Sequence, residues 1–128
     1  MLKTLESTRG GATRGGEQLR AFKADLFKAL AHPARVRILE LLRGGPRTVS
    51  ELQVELGAEP SSVSQQLAVL RAKHIVDGRR DGTSVCYSVR EPEVFALLDS
   101  ARRIFDNHVV ELQAIADEAA PLIRRSQP

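Results

Sequence analysis

A short run of serine and glutamine residues carries the most specific chemistry in this sequence. Its members are Ser61, Ser62, Ser64, Gln65 and Gln66. Glutamine amides can form paired hydrogen bonds to a base, most naturally adenine. Serine hydroxyls and the free N–H groups of a helix's first turn can hold a phosphate. The run therefore suits a surface that contacts nucleic acid, although any one of these residues alone is more simply explained as part of a solvated helix face.

Two arginines form the second candidate group. Arg79 and Arg80 stand directly before Asp81-Gly82, a pair that predicts a tight β-hairpin turn because glycine tolerates positive φ. Arginines at a hairpin tip are well placed to contact phosphates or a minor groove. An isolated basic hairpin is usually only a solubilising turn. Here the hairpin comes directly after two short helices, and that combination indicates nucleic-acid contact far more specifically than a hairpin alone.

The elements that would position these groups can be located from their periodicity. Leu19, Phe22, Leu26 and Leu30 recur at helical spacing and predict a first helix from near Glu17. A second helix is expected from Pro33 to about Arg43, where Gly44-Gly45-Pro46 ends it.

Two further helices would form a helix-turn-helix unit. The first spans Thr48–Leu56, with Thr48 and Glu51 as a capping box and Gly57 as its C-cap. The second spans Pro60–Lys73, with Val63, Leu67 and Leu70 on its apolar side. The pattern then changes to period two over Ile75–Val89, which predicts two strands.

The last helix is predicted to run from Pro92 to about Ala120, where Pro121 would end it. Its apolar stripe repeats at spacings of four and three, as at the a and d positions of a heptad. At ~42 Å for about 28 residues, such a helix is longer than one small domain needs to cover. We therefore expect a dimer interface formed by Leu19, Phe22, Val94, Leu98, Phe105, Leu112 and Ile115, with packing of the stripe within one chain as the alternative.

These elements predict a mainly α fold with a small β-hairpin wing, an α+β winged helix-turn-helix that is dimeric. The expected organisation is a flexible basic tail over residues 1–16, one domain over residues 17–120 and a C-terminal tail over residues 121–128. The first tail could also be a basic arm that contacts DNA phosphates through Arg9 and Arg14.

Composition narrows the class of protein. Residues 1–90 hold 15 Lys+Arg against 9 Asp+Glu, whereas residues 91–128 hold 4 against 7, so the basic part suits a polyanion partner. A single cysteine excludes a secreted disulfide scaffold, and no apolar run or signal segment suggests a membrane or export, so the expected location is the cytoplasm. No nucleophile–base pair, phosphate loop or metal ligand set indicates an enzyme or a cofactor.

The stretch Leu26–Val89 resembles the ArsR/SmtB family of bacterial repressors. The resemblance lies in the segments LAHPARVRILELL, VSELQVEL, SSVSQQLAVLRAKHIV and GRRDGTSVCYSV. It implies a homodimer that binds double-stranded operator DNA near its own promoter and is released by an effector. By matching position, the serine and glutamine run falls on the family's recognition helix, and Arg79 and Arg80 fall on its wing.

Two familiar metal sites of that family are not matched in this sequence. The positions of the first site are occupied by Thr48 and Ser50, which have no thiolates. One of the two ligand pairs of the second site falls on Ile104 and Asn107. Asp106, His108 and Glu111 could contribute to a metal site between subunits, although an ordinary polar helix face explains them more simply. No metal site is therefore predicted.

Two residues remain as candidate sensors. Cys86 in the second strand could be a redox-responsive thiol, or a small filler residue. His108 could make dimerisation depend on pH, or be a passive polar position in the interface. The alternative for the whole chain is a winged-helix interaction module that dimerises without recognising a specific DNA sequence.

Overall fold

The computed structural model describes the backbone of residues 2–126 and the side chains of residues 14–121. The chain divides into two compact units, one ending at Glu91 and the other starting at Pro92. The elements in order are α1 (Leu2–Leu30), α2 (Pro33–Leu42), β1 (Arg47–Thr48), α3 (Val49–Leu56), α4 (Pro60–Ala72), β2 (Val76–Asp81), β3 (Ser84–Val89) and α5 (Glu93–Ser126). The predicted mainly α fold with a small wing is confirmed.

The core of the first unit is built from aliphatic side chains of α2, α3, α4 and the start of β2. Side chains that are at most 2% exposed include Ile38, Leu39, Leu52, Val63, Leu67, Leu70, Ile75 and Val76. In α4, Val63, Leu67 and Leu70 are four and three residues apart, which places them on one side of that helix. Each fully buried aliphatic group contributes roughly 1.5–3 kcal/mol by leaving water. This core holds α4 and the wing strands in place.

Local capping fixes the helix starts that the sequence predicts. Thr48 is the N-cap of α3, where its hydroxyl accepts from the Glu51 amide and the Glu51 carboxylate accepts from the Thr48 amide. His32 caps α2 through its Nδ1, which accepts from the Ala34 amide at 3.0 Å. Pro33 and Pro60 open α2 and α4 at positions that need no amide donor.

Helix α4 ends in a Schellman motif centred on His74. The His74 amide donates to the Arg71 carbonyl and the Ile75 amide donates to the Leu70 carbonyl, both at 3.0 Å. His74 has φ 58, a left-handed conformation that usually requires glycine or asparagine. The motif turns the chain directly from α4 into β2, so the wing starts at a fixed angle from the helix.

The wing is a three-stranded antiparallel sheet in the order β1-β3-β2. Strand β1 was not predictable from the sequence, because two residues show no periodicity. The hairpin turn was predicted one residue early. Asp81 pairs with Ser84, so the loop is Gly82-Thr83, with Gly82 at φ 62. A positive φ at the first loop position alone is the pattern of a type II′ turn.

The first and last helices are longer than predicted. α1 starts at Leu2 rather than near Glu17, so residues 2–16 belong to a helix and not to an irregular tail. α5 starts at Glu93 and continues through Pro121 to Ser126, whereas the sequence analysis ended it near Ala120. A proline removes one hydrogen bond to the carbonyl four residues earlier, and the rest of the helix keeps its own. The side chain of Arg9 and residues 127–128 lie outside the described residues.

Within the second unit, α5 is continuous across Asp106 and Asn107. An ion pair joins Arg102 Nε to Asp106 at 3.1 Å, and the Gln113 amide donates to Asp117 at 3.0 Å. Both are i, i+4 pairs on an exposed helix surface, worth a few tenths of a kcal/mol each. Asp106 therefore supports the helix.

Candidate nucleic-acid interface

Helix α4 presents a small, polar surface opposite its buried side. Ser61, Ser64, Gln65 and Ala68 are exposed, and we call them the polar face of α4. At 3.6 residues per turn, Ser61, Gln65 and Ala68 lie within about 60° of one another. None of the polar side chains of this face forms a hydrogen bond to any other residue that the structure describes. They are free to contact base edges.

Gln66 differs from the rest of the predicted set. Its Oε1 accepts a hydrogen bond of 2.9 Å from Nη1 of Arg35 on α2. The helical angle places Gln66 about 40° from the buried Leu70 and about 100° from Gln65. Its amide oxygen is therefore held within the domain. Ser62 is only partly exposed and lies at the edge of the polar face.

The start of α4 leaves fewer free amides than a bare helix end. The amides of Ser62 and Val63 both donate to the Glu59 carbonyl, at 3.0 and 3.2 Å. Glu59 is the N-cap, and its side chain makes no capping hydrogen bond. Pro60 has no N–H, so Ser61 carries the first-turn amide best placed to contact a phosphate.

The wing places its two arginines on opposite faces. Arg79 pairs with Cys86 and Arg80 pairs with Val85, and neighbouring positions of a strand point to opposite sides. Both arginines are exposed, and neither has an ion-pair partner among the residues that the structure describes. By contrast, Arg90 at the base of the wing lies 3.7 Å from Asp77. The unpaired charge is concentrated toward the wing tip.

Gly78 and Tyr87 approach each other closely in the wing. These residues are directly opposed in the β2–β3 ladder. A Cβ at position 78 would lie 3.0 Å from Cε1 and 3.1 Å from Cζ of Tyr87. The Tyr87 ring therefore lies against the glycine and leaves little room for a side chain at position 78.

The residues predicted for a dimer interface divide by exposure. Leu19 and Phe22 of α1 are 52% and 64% exposed, and Phe105, Leu112 and Ile115 of α5 are 60%, 51% and 62% exposed. Leu98 is half-buried. Val94 is only 2% exposed, so a single chain already buries it and it offers no surface to a partner.

The candidate sensor residues lie apart from one another along the chain. Cys86 is a free, partly buried thiol, opposite Arg79 on one side and Thr48 on the other. His108 is exposed on α5. No group of three or more His, Cys, Asp or Glu within the described part of the chain is arranged to hold a metal ion.

None of the described helices is both long and apolar enough to cross a bilayer.

Sequence reasoning missed Arg35 and the short strand β1. Arg35 carried no signal, because one arginine in an amphipathic helix is ordinary. β1 adds Thr48 beside Cys86, and Arg47 beside Tyr87. Thr48 therefore both caps α3 and belongs to the wing sheet, and so it connects the first helix of the helix-turn-helix directly to the wing.

Comparisons with known proteins agree with this arrangement. Residues 32–77 match the family model described as bacterial regulatory protein, arsR family. The HTH-type transcriptional regulator Rv0081 of Mycobacterium tuberculosis is 44% identical over 103 residues, which cover 80% of this chain and 90% of the relative. Its crystal structure aligns at 46% identity with a TM-score of 0.67, over 73% of this chain and 94% of that one.

Two further solved structures share the fold. The homodimeric winged helix-turn-helix DNA-binding domain Mb0332 of Mycobacterium bovis is 30% identical, with a TM-score of 0.65, over 72% of this chain and 85% of that one. The transcriptional repressor BigR of Xylella fastidiosa is 34% identical, with a TM-score of 0.63, over 72% of this chain and 95% of that one. The core of the fold is therefore shared across these proteins.

Proposed function

Because this chain belongs to the ArsR family of bacterial regulatory proteins, we propose that it is a DNA-binding transcriptional repressor that binds a palindromic operator as a homodimer. An effector would release it from the operator. In this role the protein catalyses no reaction, and it acts in the cytoplasm, where it has access to chromosomal DNA.

One observation carries the proposal. Among the residues that the structure describes, the polar side chains on the polar face of α4 have no hydrogen-bond partner, and Arg79 and Arg80 on the wing have no ion-pair partner. The polar face lies opposite the buried apolar side of α4. A helix with this division can enter a major groove, with serine and Gln65 at the base edges. Arg79 and Arg80 would add contacts to phosphates or to the adjacent minor groove.

A second copy of the chain supplies the symmetry that a palindromic operator needs. α1 and α5 each leave large apolar side chains exposed, among them Phe22 and Phe105 at 64% and 60%. Covering such side chains is favourable by ~25 cal/mol per Å² of apolar surface. Two recognition helices related by a two-fold axis would contact half-sites about one turn of DNA apart.

Selection from a library of random duplexes tests this function. The protein would be cycled through binding and amplification, and the enriched duplexes sequenced. We expect a two-fold symmetric sequence with half-site centres about 10 base pairs apart or a multiple of that. Enrichment of no common sequence, by a protein that is dimeric in solution, would favour the interaction module and contradict the proposed repressor.

A further inference from the structure

We propose that Arg35 is a positioning residue that fixes α4 to the C-terminal end of α1 and thereby sets the spacing of the two recognition helices in the dimer. This inference rests on the proposed function and deepens it. Arg35 would determine which distance between operator half-sites the dimer prefers, although it lies on neither the polar face of α4 nor the wing.

The Arg35 side chain donates three hydrogen bonds to acceptors on two different helices. Its Nε donates to the Ala29 carbonyl at 2.6 Å, and its Nη2 donates to the Lys28 carbonyl at 3.1 Å. Its Nη1 donates to Oε1 of Gln66 at 2.9 Å. One planar group thus joins the end of α1, through α2, to the middle of α4. We call this set the Arg35 clamp.

The acceptors on α1 suit an arginine specifically. The last carbonyls of a helix have no intrahelical partner, and a positive charge at that end is favoured by the helix dipole. The planar guanidinium presents its donors in a fixed fork, whereas a lysine ammonium is a single point charge that could not span the three acceptors in the same geometry. Arg35 is also partly buried, which reduces competition from water.

The Arg35 clamp connects the two surfaces that the proposed function uses. α1 carries the exposed Leu19 and Phe22, which the proposal assigns to the dimer interface, and α4 carries the polar face. If α1 is fixed against the partner subunit, the Arg35 clamp transmits that position to α4. Without it, α4 keeps its buried apolar side but loses one directional restraint on its rotation relative to α1.

Spacing selectivity is the property that this restraint would control. Inserting one base pair between half-sites moves them ~3.4 Å apart along the axis and rotates one against the other by about 34°. A rigid pair of α4 helices rejects the inserted duplex, whereas a looser pair tolerates it. A side chain that served only general stability would lower the melting temperature without changing this preference.

The test compares Arg35→Met and Gln66→Met with a matched control. Gln66→Met leaves both carbonyl hydrogen bonds of Arg35 intact and removes only the connection to α4, so it remains informative if Arg35→Met does not fold. Arg37→Met is the control, because Arg37 lies on the same helix and, among the described residues, makes a polar contact only with Glu40, through a surface ion pair of 3.5 Å. The first measurement does not depend on DNA. Spin labels would be attached at Lys23→Cys and Ala68→Cys in a Cys86→Ser background, with unlabelled protein in excess.

We expect a narrow α1-to-α4 distance distribution in the parent protein and in Arg37→Met, and a distribution about twofold broader, or displaced, in both Arg35→Met and Gln66→Met. The second measurement is the ratio of dissociation constants between the selected duplex and the same duplex with one base pair inserted at its centre. This ratio should fall at least about threefold in both variants. The double variant should be no worse than the worse single one, since the two residues act as a unit.

Several results would overturn the inference. The first is a distance distribution that does not change in the variants, and the second is an unchanged ratio of dissociation constants between the two duplexes. The third is an additive loss of that ratio in the double variant together with an altered base preference, which would mean that Gln66 contacts a base directly. If the parent protein selects no duplex at all, the proposed function fails, and the distance measurement still decides whether the Arg35 clamp restrains α4.

Discussion

Gly78 shows how one residue supports the wing. A Cβ added there would lie 3.0 Å from the Tyr87 ring, which is tighter than nine in ten real Cβ contacts, so the ring would have to shift by a few tenths of an ångström. We predict that Gly78→Ala destabilises the protein by roughly 1–3 kcal/mol, the usual cost of overpacking, measured by urea unfolding. Gly44→Ala is the matched control, because its nearest neighbour would be an ordinary 3.6 Å contact. Equal stability of the two variants would show that Tyr87 moves aside freely.

His74 is the other residue whose backbone matters. Its φ of 58 is accessible to asparagine but strongly disfavoured for a β-branched side chain. We predict that His74→Asn unfolds at nearly the parent urea concentration, whereas His74→Val loses roughly 1–2 kcal/mol. Both variants lose the His74 imidazole, which lies 3.5 Å from Arg90, so the comparison isolates the backbone. A His74→Val protein as stable as His74→Asn would mean that the Schellman motif relaxes.

Among the elements, helix α4 was largely predictable from the sequence. The bounds of α4, its apolar side and its polar side follow from proline placement and a period of 3.6, since both are local properties. The fate of Gln66 was not predictable. Its engagement by Arg35 joins residues that are 31 apart in sequence, and only the tertiary fold brings them together.

The wing and the terminal helices show where local signals fail. β1 is two residues long and exists only because β3 lies beside it. α1 begins at Leu2 although it contains Gly10, Gly11, Gly15 and Gly16, and α5 continues through Pro121 to Ser126. Both contradict the predicted tails, because helix propensity is a weak signal that the structural context overrides. The exposure of the predicted interface residues could not be predicted from their spacing. Val94 fits the same helical stripe as the others but is only 2% exposed.

The wing also carries a prediction about salt. Arg79 and Arg80 are exposed and unpaired among the described residues, so each can release one counterion on contacting a phosphate. We predict that replacing either by Ala weakens DNA binding and reduces the slope of log K against log salt by about 0.9. Arg102→Ala is the control, because Arg102 is paired with Asp106 on α5. A slope that stays at the parent value in both wing variants would exclude contacts between these arginines and phosphates.

At the scale of the whole molecule, dimerisation should depend on one side of α5. Leu112 and Val110 are 51% and 67% exposed, and they lie two residues apart, on roughly opposite sides of the helix. We predict that Leu112→Glu shifts the protein to monomer at micromolar concentration, because a buried unpaired charge is costly, whereas Val110→Glu remains dimeric. Light scattering coupled to size exclusion would measure the mass. Two dimeric variants, or two monomeric ones, would show that the interface lies elsewhere.

The central claim is that the polar face of α4 recognises a specific DNA sequence. The most direct test is a fluorescence-anisotropy titration of the parent protein and Gln65→Ala against the selected duplex and a scrambled one, at two salt concentrations. We predict that the parent prefers the selected duplex by ~10³-fold or more, and that Gln65→Ala loses roughly 1–3 kcal/mol of that preference while binding the scrambled duplex as before. Equal, weak and salt-sensitive binding of the parent protein to both duplexes would contradict it.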